Sequence, residues 1–253
     1  LALSFSGCSE LTGLDAQALM SPPKTTADRE AIYALMGGGV GDVTLVYPKY
    51  GDYRSAIISR DLDGCGTSEV VSFCANGDAG GTRLEFFKKN TDGVWSSMAR
   101  FTSAATQVDK VFFGDLTGDG MDEIIVGWGD PLTATASVSV YYVDGDTIRE
   151  FSMTTVSYSE MLLTDFDSDN IKELFVLQAA QTSGEEIMAL GGLYRFDGDQ
   201  PYVSKTVPLD AAVTRYTSVS FSQVNSWRRA AVLDGVKADG HMLTQVIGYD
   251  EAS

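Results

Sequence analysis

Gly114-Asp115-Leu116-Thr117-Gly118-Asp119-Gly120-Met121-Asp122-Glu123 lies between two apolar runs, Val111-Phe112-Phe113 and Ile124-Ile125-Val126. The pattern occurs three times. Upstream the chain reads Arg60-Asp61-Leu62-Asp63-Gly64-Cys65-Gly66-Thr67-Ser68-Glu69, and downstream Thr164-Asp165-Phe166-Asp167-Ser168-Asp169-Asn170-Ile171-Lys172-Glu173. The leading aspartates stand 54 and 50 residues apart. A second marker, Asp92-Gly93, Asp144-Gly145 and Asp197-Gly198, keeps phase with them at intervals of 52 and 53 residues. Two markers in phase define a repeat of about fifty residues.

Each repeat has the same internal order. Short apolar runs enter the acidic loop (Ala56-Ile57-Ile58, Met161-Leu162-Leu163) and leave it (Val70-Val71, Leu174-Phe175-Val176-Leu177). Runs this short, bounded by glycine and aspartate, predict strands buried on both faces. An alternating segment such as Val138-Ser139-Val140-Tyr141-Tyr142 then reaches the Asp-Gly pair, which supplies the positive φ of a tight hairpin. A last strand, such as 94–101, closes the unit. Four antiparallel strands per repeat predict an all-β chain whose unit is a β-propeller blade. The repeats are placed at 53–106, 107–156, 157–212 and, in part, 213–253, within a repeat region of 42–253. In the fourth, Val219 to Ser226 stands in the place of the acidic loop without its carboxylates, followed by Ala230-Ala231-Val232-Leu233. The chain therefore reads as a fragment with three full blades and a partial one, and its last sheet face is expected to be apolar and prone to association.

The acidic loop carries oxygen ligands at positions 1, 3, 5 and 9. Such a loop wraps a hard divalent cation, and calcium tolerates the irregular geometry better than magnesium does. Candidate ligands are Asp61, Asp63 and Glu69 in the first loop and Asp115, Thr117, Asp119 and Glu123 in the second. The third offers Asp165, Asp167, Asp169 and Glu173, with Asn170 where the others have glycine. Charge count predicts affinity in the order third, second, first, because Thr117 is a neutral ligand and Cys65 puts a soft thiol where an oxygen belongs. With these motifs the chain resembles FG-GAP or VCBS-type repeats, the calcium-loop blades of integrin α-chain propellers and of many bacterial surface proteins. The resemblance covers about residues 53–234 and implies a calcium-loaded β-propeller.

Leu1-Ala2-Leu3-Ser4-Phe5-Ser6-Gly7-Cys8 reads as the end of a secretory signal, with small residues before a cysteine as in a bacterial lipobox. Cys8 is thus the expected lipidation site, at the end of a signal remnant spanning 1–8. A polar tether, 9–24, ends in Ser21-Pro22-Pro23-Lys24. Residues 25–39 combine a capping box from Thr25, apolar positions Ile32, Leu35 and Met36, and a triple-glycine stop, which predicts one short amphipathic helix covering an open end of the main domain. The lipobox, the tether and the entry Gly51-Asp52-Tyr53-Arg54-Ser55 together resemble lipoproteins of Gram-positive anaerobes, which implies a cell-surface location and a membrane attachment made only through the lipid.

Eighteen basic residues face 35 acidic ones, a net charge of −17. Such a chain repels phosphate backbones and anionic membranes and suits cations, so nucleic acid is excluded as an expected partner. The only histidine, His241, sits in a turn sequence, and no nucleophile elbow, phosphate loop or zinc spacing is present. The expectation is a module or scaffold binding a surface protein or a polysaccharide. The alternative is a carbohydrate-active lyase or hydrolase with its catalytic residues elsewhere, in which Trp95, Trp128, Tyr141 or Tyr142 would stack on sugars; their expected role is packing between blades. Cys65 and Cys74 are expected to be free thiols, because several strand residues at about 3.3 Å each separate them.

Overall fold

The structure, a computed structural model, describes residues 27–39, 41–130, 135–152, 156–183, 186–198, 200–225 and 228–249. The signal remnant, Cys8, the tether and the Thr25-Thr26 cap lie outside the described residues.

The fold is all-β, with four antiparallel sheets following one helix among the described residues. Strands β1 (Ile57–Arg60), β2 (Glu69–Ala75), β3 (Thr82–Lys89) and β4 (Trp95–Ser103) pair in chain order as the first sheet. The second sheet takes β5 (Gln107–Gly114), β6 (Glu123–Asp130), β7 (Thr135–Asp144) and β8 (Thr147–Glu150), and the short β9 (Val156–Ser157) also pairs with β7. In the third sheet β10 (Glu160–Thr164), β11 (Glu173–Ser183), β12 (Glu186–Asp197) and β13 (Gln200–Pro208) repeat the order. The fourth holds three strands, β14 (Val213–Asn225), β15 (Arg228–Lys237) and β16 (Met242–Gly248). The three Asp-Gly pairs turn the third strand of a sheet into its fourth, with φ of 78° at Gly93, 61° at Gly145 and 56° at Gly198.

Alternation along the second strand of each sheet explains why its apolar run is continuous. Ile124 and Val126 point toward the first sheet, where they join Phe73, Phe86, Val111 and Trp128. Ile125 points the other way and joins Val138, Val140, Met161, Leu174 and Val176. On β11, Leu174 and Val176 share that cluster with the second sheet, whereas Phe175 and Leu177 pack on Val213, Tyr216, Ala231 and Leu233 of the fourth. A strand buried on both faces has no polar side to alternate with. The sheets thus stack face to face in chain order, each interface an apolar layer. Trp128 and Tyr141 are buried between the first two sheets, with Trp128 edge-on to Phe73 at 6.2 Å.

The two ends of this stack differ. On the first sheet's outer face sits α1 (Ala27–Leu35), with Ile32 and Met36 packed against Val70, Cys74 and Phe87. Asp28 fixes the helix by accepting hydrogen bonds from Lys89 Nζ at 2.8 Å and from Trp95 Nε1 at 2.9 Å. Gly37, at φ 98°, ends it as a left-handed stop. The outer face of the fourth sheet has no such cover among the described residues. It is less apolar than the sequence suggests: Ser218 and Thr244 donate to Asp234 at 2.8 and 2.7 Å, beside the exposed Val246 and Met242. The stretch read as a degenerate loop, Val219 to Ser226, is strand through Asn225: Val219 pairs with Leu233 and Asn225 with Arg228. Having lost the glycines and carboxylates that make the other loops turn wide, this segment continues the ladder.

Candidate metal centre

The three acidic loops join the first strand of a sheet to the second and share one backbone design. The carboxylate at position 1 caps the amide at position 6: Asp61 accepts from Gly66 at 2.9 Å, Asp115 from Gly120 at 2.9 Å and Asp165 from Asn170 at 3.0 Å. The glutamate at position 9 reaches back to the amide at position 2, with Glu69 accepting from Leu62 at 2.9 Å, Glu123 from Leu116 at 2.6 Å and Glu173 from Phe166 at 2.8 Å. Asp119 and Asp169 each accept from the amide two residues on, at 2.8 Å. The residue at position 2 is buried in the sheet interface in every copy, and so is the glutamate, which is at most 2 % exposed. Each loop is therefore pinned to the core at its second and ninth residues.

Turning so sharply needs positive φ at positions 4 and 6. Gly64, Gly66, Gly118 and Gly120 provide it in the first two loops. The third loop manages with Ser168 at φ 68° and Asn170 at 72°. Asparagine tolerates that region, whereas serine pays a strain there; Arg229 of the fourth sheet donates to the Ser168 hydroxyl at 2.7 Å and helps hold it.

The loops form a continuous row along one edge of the stack. Arg60, at the start of the first loop, donates through Nε to Asp122 of the second at 2.5 Å, and Lys172 of the third loop donates its amide to the Asp115 carbonyl at 2.8 Å. Arg229 continues the row into the fourth sheet.

Several oxygens in the loops are buried and have no hydrogen-bond partner: Asp61 Oδ1, Thr117 Oγ1 and Asp167 Oδ1. A buried acceptor left without a donor is costly, and a bound cation would satisfy it. Three ligand atoms lie within 4.8 Å of one another in the first loop (Asp61, Asp63, Cys65) and in the third (Asp165, Asp167, Glu173). Asp115, Asp119 and Glu123 of the second do not converge so closely, although Glu123 is buried and no basic side chain pairs with it among the described residues. Burial pushes Glu123 up to about 7, since the neighbouring Asp119 and Asp115 add repulsion and only backbone amides oppose it. The carboxylates in these sets are the ligand type a hard divalent cation takes, whereas the Cys65 thiol in the first is not. When bound, such an ion would supply the positive charge that the clustered carboxylates lack.

One residue type separates the loops, and it comes from the neighbouring strand. The register Leu174 to Tyr194 places Arg195 opposite Glu173 one step on. Arg195 Nη2 contacts Asp167 Oδ2 and lies 3.0 Å from Glu173 Oε1. Burial disfavours the Arg195 charge, and the two carboxylates more than offset that, so its pKa lies above the ordinary guanidinium value. Asp167 is held below the usual carboxylate range: burial would raise it, and the Arg195 contact together with hydrogen bonds from Asp169 outweighs burial. Burial still lifts Glu173 to about 7, against the pull of the Phe166 amide and of Arg195. The register Ile124 to Tyr141 puts Tyr142 in the corresponding place of the second sheet, and Val70 to Phe87 puts Lys88 there in the first. Tyr142 carries no charge and packs on Phe151 at 4.4 Å between ring centres. Lys88 pairs with Asp146 at 2.5 Å, and its charge also acts on Asp63 and Glu69 of the first loop from a longer distance.

Trp95, expected between blades, lies instead on the outer face of the first sheet beside α1, where its indole donates to Asp28, whereas the two cysteines and the histidine fall where expected. Cys65 is exposed and Cys74 buried, both free, and Cys65 Sγ lies 2.8 Å from Thr67 Oγ1. His241 is an exposed turn residue whose amide donates to Asp239 at 3.0 Å. The sequence reading missed Arg195, though a signal for it exists: it stands two residues before Asp197-Gly198, as Tyr142 stands two before Asp144-Gly145. No protein-family model matches the chain, and no curated protein is similar enough to match it.

Proposed function

We propose that the chain is a calcium-stabilised β-propeller module of the FG-GAP or VCBS type, anchored to the bacterial cell surface by a lipid on Cys8, where it binds a protein or a polysaccharide or serves as a scaffold. The observation that carries the metal part of this reading is the repeated loop: three copies of one hydrogen-bonded design, with a buried oxygen lacking a donor at Asp61 in the first and at Thr117 in the second. Asp61, Asp63 and Glu69 would hold the ion in the first loop, and Asp115, Thr117, Asp119 and Glu123 in the second. Such an ion would cross-brace a rim that otherwise consists of repelling carboxylates, and a rigid rim suits a surface that must hold its shape while bound. Four meandering sheets stacked through apolar layers support the blade reading.

Thermal unfolding with calcium and with chelator tests the metal assignment: equal midpoints would reduce the loops to polar turns. Glycan-array binding run beside turnover assays tests the module, since saturable binding without product supports it and product release would turn the reading to a carbohydrate-active enzyme. In the secreted precursor, Cys8→Ala should move the protein from the membrane fraction to the soluble one.

A further inference from the structure

We propose that Arg195 is the resident cation of the third loop, holding Asp167 and Glu173 in place of a divalent ion, so that the loop richest in carboxylates is the one that takes no calcium. The inference rests on the calcium reading of the other two loops and reverses the order that ligand charge alone would give.

The geometry points this way from three sides. Arg195 is built into the middle of a sheet, on β12 directly across from Glu173, so its position is fixed by strand pairing and does not depend on a mobile surface side chain. Its guanidinium touches two of the carboxylates that a metal would need, and one of them, Glu173, is 2 % exposed at the side chain. The far side of the guanidinium is braced as well. Tyr249 Oη, arriving from the fourth sheet, lies 3.5 Å from Arg195 Nη2, and the Tyr249 ring packs on Phe166 of the same loop at 5.7 Å. A guanidinium remains charged at any physiological pH and is weakly hydrated, so it suits a partly buried anion pair better than a lysine would. A calcium ion entering the loop would have to share Asp167 and Glu173 with a positive charge a few ångströms away, or expel a side chain held by strand register.

The other sheets show what the same position does without this role. Tyr142 leaves Glu123 without a countercharge, and Lys88 forms its ion pair with Asp146 and acts on Asp63 and Glu69 only from a distance. The loop whose φ values are hardest for its residues, with Ser168 and Asn170 in place of glycines, is thus the loop held by arginines, Arg195 on its carboxylates and Arg229 on Ser168. A protein cation makes that loop independent of the calcium supply.

Calorimetric titration of the whole chain with calcium chloride tests the inference through stoichiometry. The parent protein should bind at the first and second loops and leave the third empty, and Arg195→Gln should gain one site per chain. The gained site should vanish again when Asp165→Ala is added. If Arg195→Gln gains no site, or if the parent already fills all three loops, the inference is overturned. Should Arg195→Gln fail to fold without metal, it is refolded with calcium present and its bound ion counted by atomic absorption after desalting; recovery only with calcium, and with one ion more than the parent, supports the proposal. The calcium reading fails separately, when the parent binds no calcium at all. A gained site in Arg195→Gln would even then identify the arginine as the occupant.

Discussion

The second and third loops are nearly the same object. Both cap the amide at position 6 with the aspartate at position 1, both send a buried glutamate back to the amide at position 2, and both pin an apolar residue into a sheet interface. They differ in what the neighbouring strand offers: Tyr142 beside Glu123, and Arg195 beside Glu173. The difference shows that a loop motif does not specify its own electrostatics. Three carboxylates in a turn amount to a cation site, an internal salt bridge or an unrelieved repulsion according to one residue on another strand. That residue belongs to the sheet and is set by register.

The largest effect should follow from removing the internal cation. Taking one partner from a buried ion pair leaves the other charge uncompensated, at a cost of about 3 kcal/mol. In the presence of chelator, Arg195→Met should therefore lose about that much stability by urea unfolding, whereas Tyr142→Met, which removes only ring packing, should lose about 1 kcal/mol or less. Similar losses from the two would mean that Arg195 contributes through packing and that the comparison between the loops fails.

A smaller effect belongs to the second loop. With a dissociation constant of about 0.1 mM, a site exposed to about 1 mM calcium gains roughly 1.4 kcal/mol. Asp115→Ala with Asp119→Ala should abolish that share of the calcium-dependent shift, and Asp165→Ala with Asp169→Ala should leave it intact while lowering stability with and without calcium alike. The experiment is a pair of thermal melts for each variant. A calcium shift lost equally from both would make the loops equivalent.

The contrast also sets a pH dependence. Glu123 rises from 4.5 in an ordinary setting to about 7 in the fold, so the folded state holds a proton that the unfolded chain releases. Stability from that proton is complete below about 4.5 and is lost as the pH climbs through about 7. In chelator, the parent should become less stable than Glu123→Gln across this window, because glutamine keeps the hydrogen bond from the Leu116 amide and cannot ionise. Calcium should remove the difference at neutral pH by favouring the carboxylate. Parallel stability curves for the two proteins between pH 4.5 and 7 would show that Glu123 is relieved by some other route.

Much of this was legible in the sequence, for physical reasons that differ by element. The second strands announced themselves because Ile124-Ile125-Val126 and Leu174-Phe175-Val176-Leu177 serve two interfaces at once and tolerate no polar residue. The Asp-Gly hairpins were legible because positive φ restricts the residue choice. The helix over α1 could be placed from its apolar spacing and its glycine stop. Val219 to Asn225 was misplaced because a loop that loses its glycines does not stay a loop; it joins the strands on either side. Arg195 escaped notice because its effect acts across a strand pair, and charge count within the loop holds no information about what register brings alongside.

The smallest effect concerns the first loop, where Cys65 occupies position 5. Its thiol is exposed and lies among Asp61 and Asp63, whereas Cys74 is fully buried against α1 and burial pushes its thiol up from 9.0. The thiolate of an accessible cysteine attacks a maleimide, so Cys65 should label readily in the native protein and Cys74 only on unfolding. Calcium bound by Asp61, Asp63 and Glu69 would close the loop over the sulfur and slow labelling of Cys65, without adding a bond to it, since sulfur is a poor partner for so hard an ion. Replacing the thiol by a carboxylate changes the balance: Cys65→Asp gives the first loop the same acidic ligand at position 5 that the second and third loops have. That variant should strengthen calcium binding by a few-fold, a shift of less than about 1 kcal/mol in a thermal melt. The first loop has no inserted arginine to oppose the gain: Lys88 pairs with Asp146 and acts on Asp63 and Glu69 only from a distance. If Cys65→Asp binds calcium no better than the parent, then ligand count does not govern these loops even where no arginine is inserted. If labelling of Cys65 is indifferent to calcium, the ion is not at this loop.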